Sequence, residues 1–195
     1  DDGTIISLAQ DGTEEGTISV STTTVSYNAF TGSHYAWTEE VIEKGMLVSL
    51  TGVNRRLGDR ENSEILYGIT KSSLANDKAI LGSYLAVQES NKSASNSNPS
   101  LVMASGNGEM WVVDKGNNLT PGDYLISSDI SGHAMLDDDT YNPAHIIARV
   151  SEPVDWEKVT ETINGVRHKR ISVLFESFVK YTPKSNEFAI LSLDA

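Results

Sequence analysis

The first 28 residues alternate apolar and hydroxyl side chains along short, strand-like runs. In TISVSTTTVSYN, Ser or Thr fills the positions between Ile18, Val20, Thr22 and Thr24. A period of two is that of a β-strand with one buried face. Large apolar groups are too few here to offset the ordering of the backbone, which costs about 1–2 kcal/mol per residue. We therefore expect neighbouring copies of the chain to complete these strands; packing onto the following domain is the alternative.

Beyond Phe30 the chain is a series of short apolar runs separated by Gly, Asn or Pro, which is typical of a mainly β fold. The runs are GMLVSL (45–50), EILYGIT (64–70), AILGSYLAVQ (79–88), EMWVVD (109–114), DYLISS (123–128), HIIARV (145–150) and RISVLFESFV (170–179). Asn164-Gly165 predicts a type I′ hairpin turn, and SGNGE (105–109) predicts a second turn. Helical signals are limited to YAWTEEVIEKG (35–45) and SSLAND (72–77).

Two parts of this region share one pattern. In each, a turn and a glycine lead into a strand, and a second strand later carries a small residue. The glycines are Gly45 and Gly122, and the small residues are Gly68 and Ala148. We therefore expect two related β units that form one barrel-like body.

Composition narrows the possible partners. The net charge of −12 at pH 7 argues against binding to a phosphate backbone, so no nucleic-acid partner is expected. No apolar run approaches the ~18 residues of a membrane helix, so no membrane insertion is expected. The absence of cysteine excludes disulfides, thiol catalysis and cysteine-ligated zinc.

Metal and cofactor signals are weak. The histidines at 34, 133, 145 and 168 show no HxH or HExxH spacing, which favours structural or surface roles. The acidic run at 137–139 lacks the D-x-D-x-D-G pattern of a calcium loop and is typical of a solvated turn. The tryptophans at 37, 111 and 156 favour core or subunit-interface packing over a sugar-binding platform. We expect no metal and no cofactor.

Ser33-His34 is the candidate catalytic pair. A serine becomes a nucleophile when a base takes its proton and a donor stabilises the oxyanion. Adjacent side chains of a strand point to opposite faces, which places His34 badly for its neighbour. Glu39, Glu40 and Glu43 lie close in sequence and are the carboxylates able to fold back.

The order of these motifs resembles a viral family. DGTIISLAQDGTEEGTISVSTTTVSYN is similar to the last shaft strands of phage tail fibres and tailspikes, just before their C-terminal intramolecular chaperone. AFTGSHYAWTEE resembles the opening of such chaperone domains, particularly those in the neck appendages of short-tailed phages. The later GMLVSL…ILYGIT and PGDYLISSDISGHAM…IIARV runs are similar to the body of that group. The likeness covers residues 3 to about 178.

In those families the C-terminal domain helps the fibre to trimerise, and many members then cut themselves near a junction serine. The resemblance matches that serine to Ser33 and the following tyrosine-alanine to Tyr35-Ala36. The neck-appendage kind has an aspartate after the serine and a glutamate four residues past it, where this chain has His34 and Trp37. The endosialidase kind has a lysine five residues past its serine, where this chain has Thr38. The general base is thus missing at its expected place, which favours a retained, trimer-forming tip.

The resulting prediction is a mainly β protein, with a short trimeric β-shaft segment (1–28) followed by a compact β-barrel-like knob with little helix (29–195). We expect a structural virion protein, the C-terminal part of a homotrimeric tail fibre or spike. Its contacts are with copies of itself through shaft and knob and with other virion proteins, and it assembles in the host cytoplasm. The alternatives are a self-cleaving intramolecular chaperone protease using Ser33 with His34, and a tip that binds a host receptor or glycan.

Overall fold

The computed structural model describes residues 2–10, 12–28, 31–57, 64–87 and 99–175. As the sequence predicts, they form a mainly β protein with a closed five-stranded β-barrel and further strands. The strands are β1 (Gly3–Gln10), β2 (Thr13–Ser21), β3 (Thr24–Asn28), β4 (Thr31–Trp37), β5 (Leu47–Leu50), β6 (Arg55–Arg56), β7 (Ile65–Lys71), β8 (Ile80–Val87), β9 (Ser100–Val113), β10 (Tyr124–Ser127), β11 (Ala134–Leu136), β12 (Ala148–Val150), β13 (Thr162–Ile163) and β14 (Val166–Phe175).

Helix in the described residues is limited to two 3₁₀ turns, Pro143–His145 and Trp156–Lys158. Neither they nor any other described segment forms a helix with the length and apolar character needed to cross a membrane. Asn142 and Asp155 cap the two turns, each accepting a hydrogen bond from a backbone N–H two residues on.

The first three strands form an antiparallel sheet of their own, in the order β1-β2-β3. The sequence pattern predicts one unbroken alternation from Ile18 to Thr24, and this is wrong at its end. Thr22 has a positive φ of 53°, and the chain reverses so that Val20 stands opposite Val25. The tight reversal keeps these two apolar side chains on one face, because the residues of a cross-strand pair share a face of the sheet.

The remaining strands form the knob, and two closed rings of backbone pairing share β9. The first ring runs β9-β4-β7-β5-β8 and returns to β9; the second ring runs β9-β11-β10-β12-β14 and returns to β9. The 14 residues of β9 allow it to pair with β4, β8, β11 and β14 along its length. Closure of this kind leaves few free strand edges.

The two related β units predicted from the sequence fall one in each ring. β5 pairs antiparallel with β7 in the first ring, and β10 pairs antiparallel with β12 in the second. Gly45 and Gly122, before β5 and β10, adopt positive φ values of 90° and 102°. These left-handed conformations explain why both units carry glycine at the turn.

Each ring has its own apolar core. The first encloses Ala36, Ile42, Val48, Ile69, Tyr84 and Val102. The larger core of the second ring contains Met110, Val112, Leu125, Val150, Ile171, Val173 and Phe175 among others. Leu47 and Met103, from strands of the first ring, belong to this larger core, so the two rings pack as one body.

Three local predictions are corrected by long-range pairing. SGNGE is not a turn: β9 continues through it, with Gly106 at φ 94° paired to both Thr31 and Phe175. YAWTEEVIEKG contains no helix, since Ala36 and Trp37 pair with β7. SSLAND (72–77) forms bends and turns rather than helix. In each case the sheet supplies backbone partners that the isolated segment lacks.

The Asn164-Gly165 hairpin is confirmed. Both residues have positive φ, 50° and 78°, and the flanking pair Ile163–Val166 closes the turn. These values are those of a type I′ turn, whose twist matches that of the strands it joins. Residues 29–30 and 176–195, which the sequence analysis assigns to the knob, lie outside the described residues.

Candidate functional site

Ser33 and His34 lie side by side on β4, the first strand of the knob. Ser33 is exposed and stands opposite Met103 of β9. The imidazole of His34 contacts the ring of Tyr67 edge to face, with 5.7 Å between the ring centroids. Successive side chains of a strand point to opposite faces of the sheet. Direct proton transfer between the two side chains would therefore need a rearrangement of β4, and catalysis by Ser33 and His34 stays a prediction.

Trp37 and Thr38 occupy the positions at which the domains this chain resembles carry a carboxylate or a lysine. The indole Nε1 of Trp37 donates a hydrogen bond to the Val53 carbonyl at 2.9 Å. The Arg55 guanidinium lies 3.2 Å from the centroid of the same ring, a cation–π arrangement. Thr38 Oγ1 accepts a hydrogen bond from the Glu40 N–H at 3.1 Å. Both residues thus fix the segment that follows β4.

The carboxylates after the junction bind partners other than Ser33. Glu39 forms an ion pair with Arg55 at 3.6 Å. Glu40 accepts a hydrogen bond from the Thr70 hydroxyl and another, at 3.3 Å, from the backbone N–H of Lys71. These contacts tie the segment after β4 to its neighbours in the first ring.

Apart from Ile5 at the bulge of β1, the sheet of β1, β2 and β3 places its large aliphatic side chains and most of its hydroxyl side chains on opposite faces. The cross-strand pairs Ile6–Ile18 and Val20–Val25 lie on one face, and Leu8, two residues after Ile6, joins them. We call this set the apolar face. The opposite face carries Ser or Thr at positions 7, 17, 19, 21, 24 and 26.

The apolar face is open to solvent in the single chain. Ile6, Leu8 and Val25 are 45%, 58% and 55% exposed, and Ile18 and Val20 are only half-buried. Uncovered aliphatic side chains that adjoin one another are unusual on the surface of a single-chain protein. The low content of large apolar residues predicts a need for further burial, and the register identifies five aliphatic side chains that the single chain leaves incompletely covered.

Two histidines that are far apart in sequence meet beside Trp111 of β9. His133 Nε2 lies 2.9 Å from His168 Nδ1, and the His168 ring stacks on Trp111 with 4.7 Å between centroids. Spacing alone could not indicate this contact, because 35 residues separate the histidines. Within the described part of the chain, no group of three or more His, Cys, Asp or Glu side chains is arranged to hold a metal ion.

The acidic run at 137–139 forms a turn stabilised by its own hydrogen bonds. Asp138 accepts a hydrogen bond from the Thr140 hydroxyl at 2.6 Å, which lowers the pKa of the Asp138 carboxyl. Next to it is a polar pocket of about 270 Å³, whose walls include Tyr141 and the Lys115–Asp129 ion pair at 2.7 Å. Such groups suit sugar hydroxyls, and binding of a receptor or glycan stays a prediction.

Comparison of the sequence with protein-family models, curated proteins and solved structures finds no match. The resemblance to the chaperone-bearing tail fibres therefore rests on the motifs quoted above and on their order along the chain.

Proposed function

We propose that this chain is the C-terminal part of a trimeric viral tail fibre or spike, in which β1–β3 and the knob bring three chains into register and hold them together. The observation that carries the proposal is the uncovered apolar face of the β1–β3 sheet. The order of the shaft-like and knob-like motifs supports its assignment to the virion, where other virion proteins are its further partners.

Burial energy favours association through this face. Complete burial of a Val, Leu or Ile side chain contributes about 1.5–3 kcal/mol relative to exposure. A single chain obtains only part of this from Ile6, Leu8 and Val25, which remain about half exposed. When several copies turn their apolar faces toward a common axis, these side chains gain the remaining burial free energy. A closed symmetric assembly makes the contact identical for every chain.

The electrostatics of the apolar face permit contact between copies that are acidic overall. The chain carries a net charge of −12, which opposes non-specific association. The five residues of the apolar face are all aliphatic and uncharged. When three sheets meet through their apolar faces, the residues of these faces therefore bring no like charges together. Three strands at about 4.8 Å spacing also make each sheet narrow enough to form one side of a triangular prism.

The short connection between β3 and β4 means that association of the β1–β3 sheets also brings the knobs together. β3 ends at Asn28 and β4 begins at Thr31, so only two residues separate the shaft sheet from a strand inside the first ring. β4 pairs with both β7 and β9. Holding three copies of β3 about an axis thus tethers three copies of β4 close to that axis, each by two residues.

The contacts around Ser33 favour a C-terminal tip that stays attached over one that cleaves itself off. Ser33 lies in a strand whose backbone pairs with β9, and Trp37 and Thr38 are engaged in contacts of their own. Cleavage would need this strand to open and a base to approach from elsewhere.

Gel filtration with light scattering tests the proposal. We expect the chain to elute at about three times its 21.2 kDa mass at micromolar concentration. Elution as a monomer over the whole micromolar range would contradict it.

A further inference from the structure

The His133–His168 contact fixes the positions of the ring protons. His133 Nδ1 lies 2.7 Å from the Ser131 carbonyl oxygen, which can only accept, so the proton of the neutral ring sits on Nδ1. Its Nε2 therefore accepts the hydrogen bond from His168 Nδ1 at 2.9 Å. His168 Nε2 faces Glu161 Oε1 at 3.7 Å. A hydrogen-bonded chain thus runs from Ser131 through both rings toward Glu161.

This series of hydrogen bonds can accommodate one added proton but not two. A proton on Nε2 of His168 points toward Glu161 and leaves the contact between the rings intact. A second proton, on Nε2 of His133, sets N–H against N–H across 2.9 Å and removes the acceptor that the contact needs. The two imidazolium charges would also repel one another across this largely buried contact, where screening by water is weak.

The neighbouring groups do little to offset the unfavourable free energy of adding a second proton to the pair. His133 has no exposed surface, and the side chain of His168 is 12% exposed. Burial lowers the pKa of His133, the His168 charge acts in the same direction, and the Ser131 carbonyl and Glu43 oppose them. The charged groups on the surrounding elements include Glu43 and Lys44 before β5, Glu109 on β9, Glu161 before β13, and Arg170 on β14. Asp129 in the turn and Asp114 after β9 are paired with Lys115 and Arg167.

Lys44 and Arg170 are both paired with Glu109, at 3.0 and 3.8 Å. Glu109 is therefore occupied by two cations and is poorly available to a protonated His133. The carboxylates of Glu43 and Glu161, which act on His133 and His168 respectively, are both exposed.

The contact lies where the two rings of the knob are joined. Gly132, next to His133, donates a hydrogen bond to the Ser72 carbonyl and accepts one from the Leu47 N–H, both at 2.8 Å. Directly after His133, β11 pairs with β9 through a single position, Ala134 with Val112. The histidine pair therefore reinforces the sparsest strand pairing of the second ring.

We propose that His133 and His168 form a pH-sensitive clamp that holds the turn at 129–133 between the two rings and is released when the pair takes up a second proton. The clamp lies within one knob, so its behaviour is independent of whether three chains associate. The ligand of the clamp is the proton, and acidification below the ordinary pKa range of histidine releases the clamp.

The sign of the effect follows from proton linkage. His133 binds a proton less readily in the folded chain than in the unfolded chain. Its contribution to stability is complete above the unfolded pKa of about 6.5. It decreases as the pH falls below that value and is lost once the pH passes the lowered folded pKa.

Urea unfolding of the full chain at pH 7.5, 6.5 and 5.5 and at fixed protein concentration tests the clamp. We expect an extra rise in the unfolding constant of up to about tenfold per pH unit between 6.5 and 5.5, the slope of one linked proton. His133→Gln should flatten this slope, and His168→Gln should reduce it by removing the neighbouring charge. The matched controls His34→Gln and His145→Gln alter histidines outside the pair and should leave it unchanged.

Imidazole NMR on the unaltered chain gives a readout that does not depend on a variant folding. We expect the pKa of His133 to lie below the ordinary histidine value, and the proton of its neutral ring to be on Nδ1. A His133 that titrates at or above pH 6.5, or a stability slope that both substitutions in the pair leave intact, would overturn the proposal.

Discussion

Val20 and Val25 stand directly opposite each other in the β2–β3 ladder, yet Val25 leaves 55% of its surface exposed. Cross-strand aliphatic pairs stabilise a sheet by packing against each other and against a covering layer. Here the pair exists and the layer is missing from the single chain. The same holds for Ile6, which pairs with Ile18 and is 45% exposed. These pairs define the surface that we assign to the contact between chains.

Cysteine cross-linking locates that contact, because the chain has no cysteine of its own. We expect Ile18→Cys to give covalent dimers with a short bifunctional maleimide, since side chains near a threefold axis lie close and one linker joins only two of them. Ser19→Cys, on the hydroxyl face, is the matched control and should remain uncoupled. Denaturing gels give the result; equal coupling of both variants, or none for Ile18→Cys, would count against the apolar face as the contact.

Gly68 tests how the first ring closes. A Cβ at this position would overlap the Val53 carbonyl oxygen and lie 2.5 Å from Thr51 Oγ1. The same carbonyl accepts the hydrogen bond of the Trp37 indole, so it cannot move away without losing that bond. We expect Gly68→Ala to lower the free energy of unfolding by about 3 kcal/mol through overpacking, as measured by urea unfolding.

Gly116→Ala is the control for that change. Gly116 has a φ of 109° and nothing within 4 Å of an added Cβ, so only conformational strain applies. We expect a loss of about 1 kcal/mol there. If Gly68→Ala proved no more destabilising than Gly116→Ala, the close approach of the Val53 loop to β7 would be wrong.

The sequence indicates the local features of this fold well. Asn164-Gly165 specifies its turn within a few residues, and the glycines at 45 and 122 mark positions where the backbone needs positive φ. The apolar runs predict strands because their residue types suit a half-buried pleated surface.

The features that sequence reasoning misses depend on distant partners. Gly106 and Gly108 look like turn residues, but β4, β8 and β14 supply β9 with backbone partners on both sides. The His133–His168 contact has no local signal, since it arises only when the turn before β11 packs beside β14. The prediction for Ser33 and His34 awaits the test that follows.

Intact mass measurement decides between a retained and a self-cleaving junction. We expect the purified chain to keep its full mass of 21.2 kDa on prolonged incubation. The physical reason is that His34 contacts Tyr67, while Trp37 and Thr38 hold structural contacts in place of a general base. A new N-terminus near Ser33 that disappears in Ser33→Ala would instead establish self-cleavage.

Native mass spectrometry of the full chain and two neighbouring variants tests the central claim most directly. Val25→Asp places a charge on the apolar face, while Thr24→Asp places the same charge one residue away on the hydroxyl face. Both side chains are exposed in the single chain, so the structure of one chain tolerates either charge. We predict a trimer of about 64 kDa, three times the 21.2 kDa chain, for the unaltered protein and Thr24→Asp, and a monomer for Val25→Asp. A monomeric unaltered protein at micromolar concentration, or a trimer that Val25→Asp leaves intact, would contradict the account.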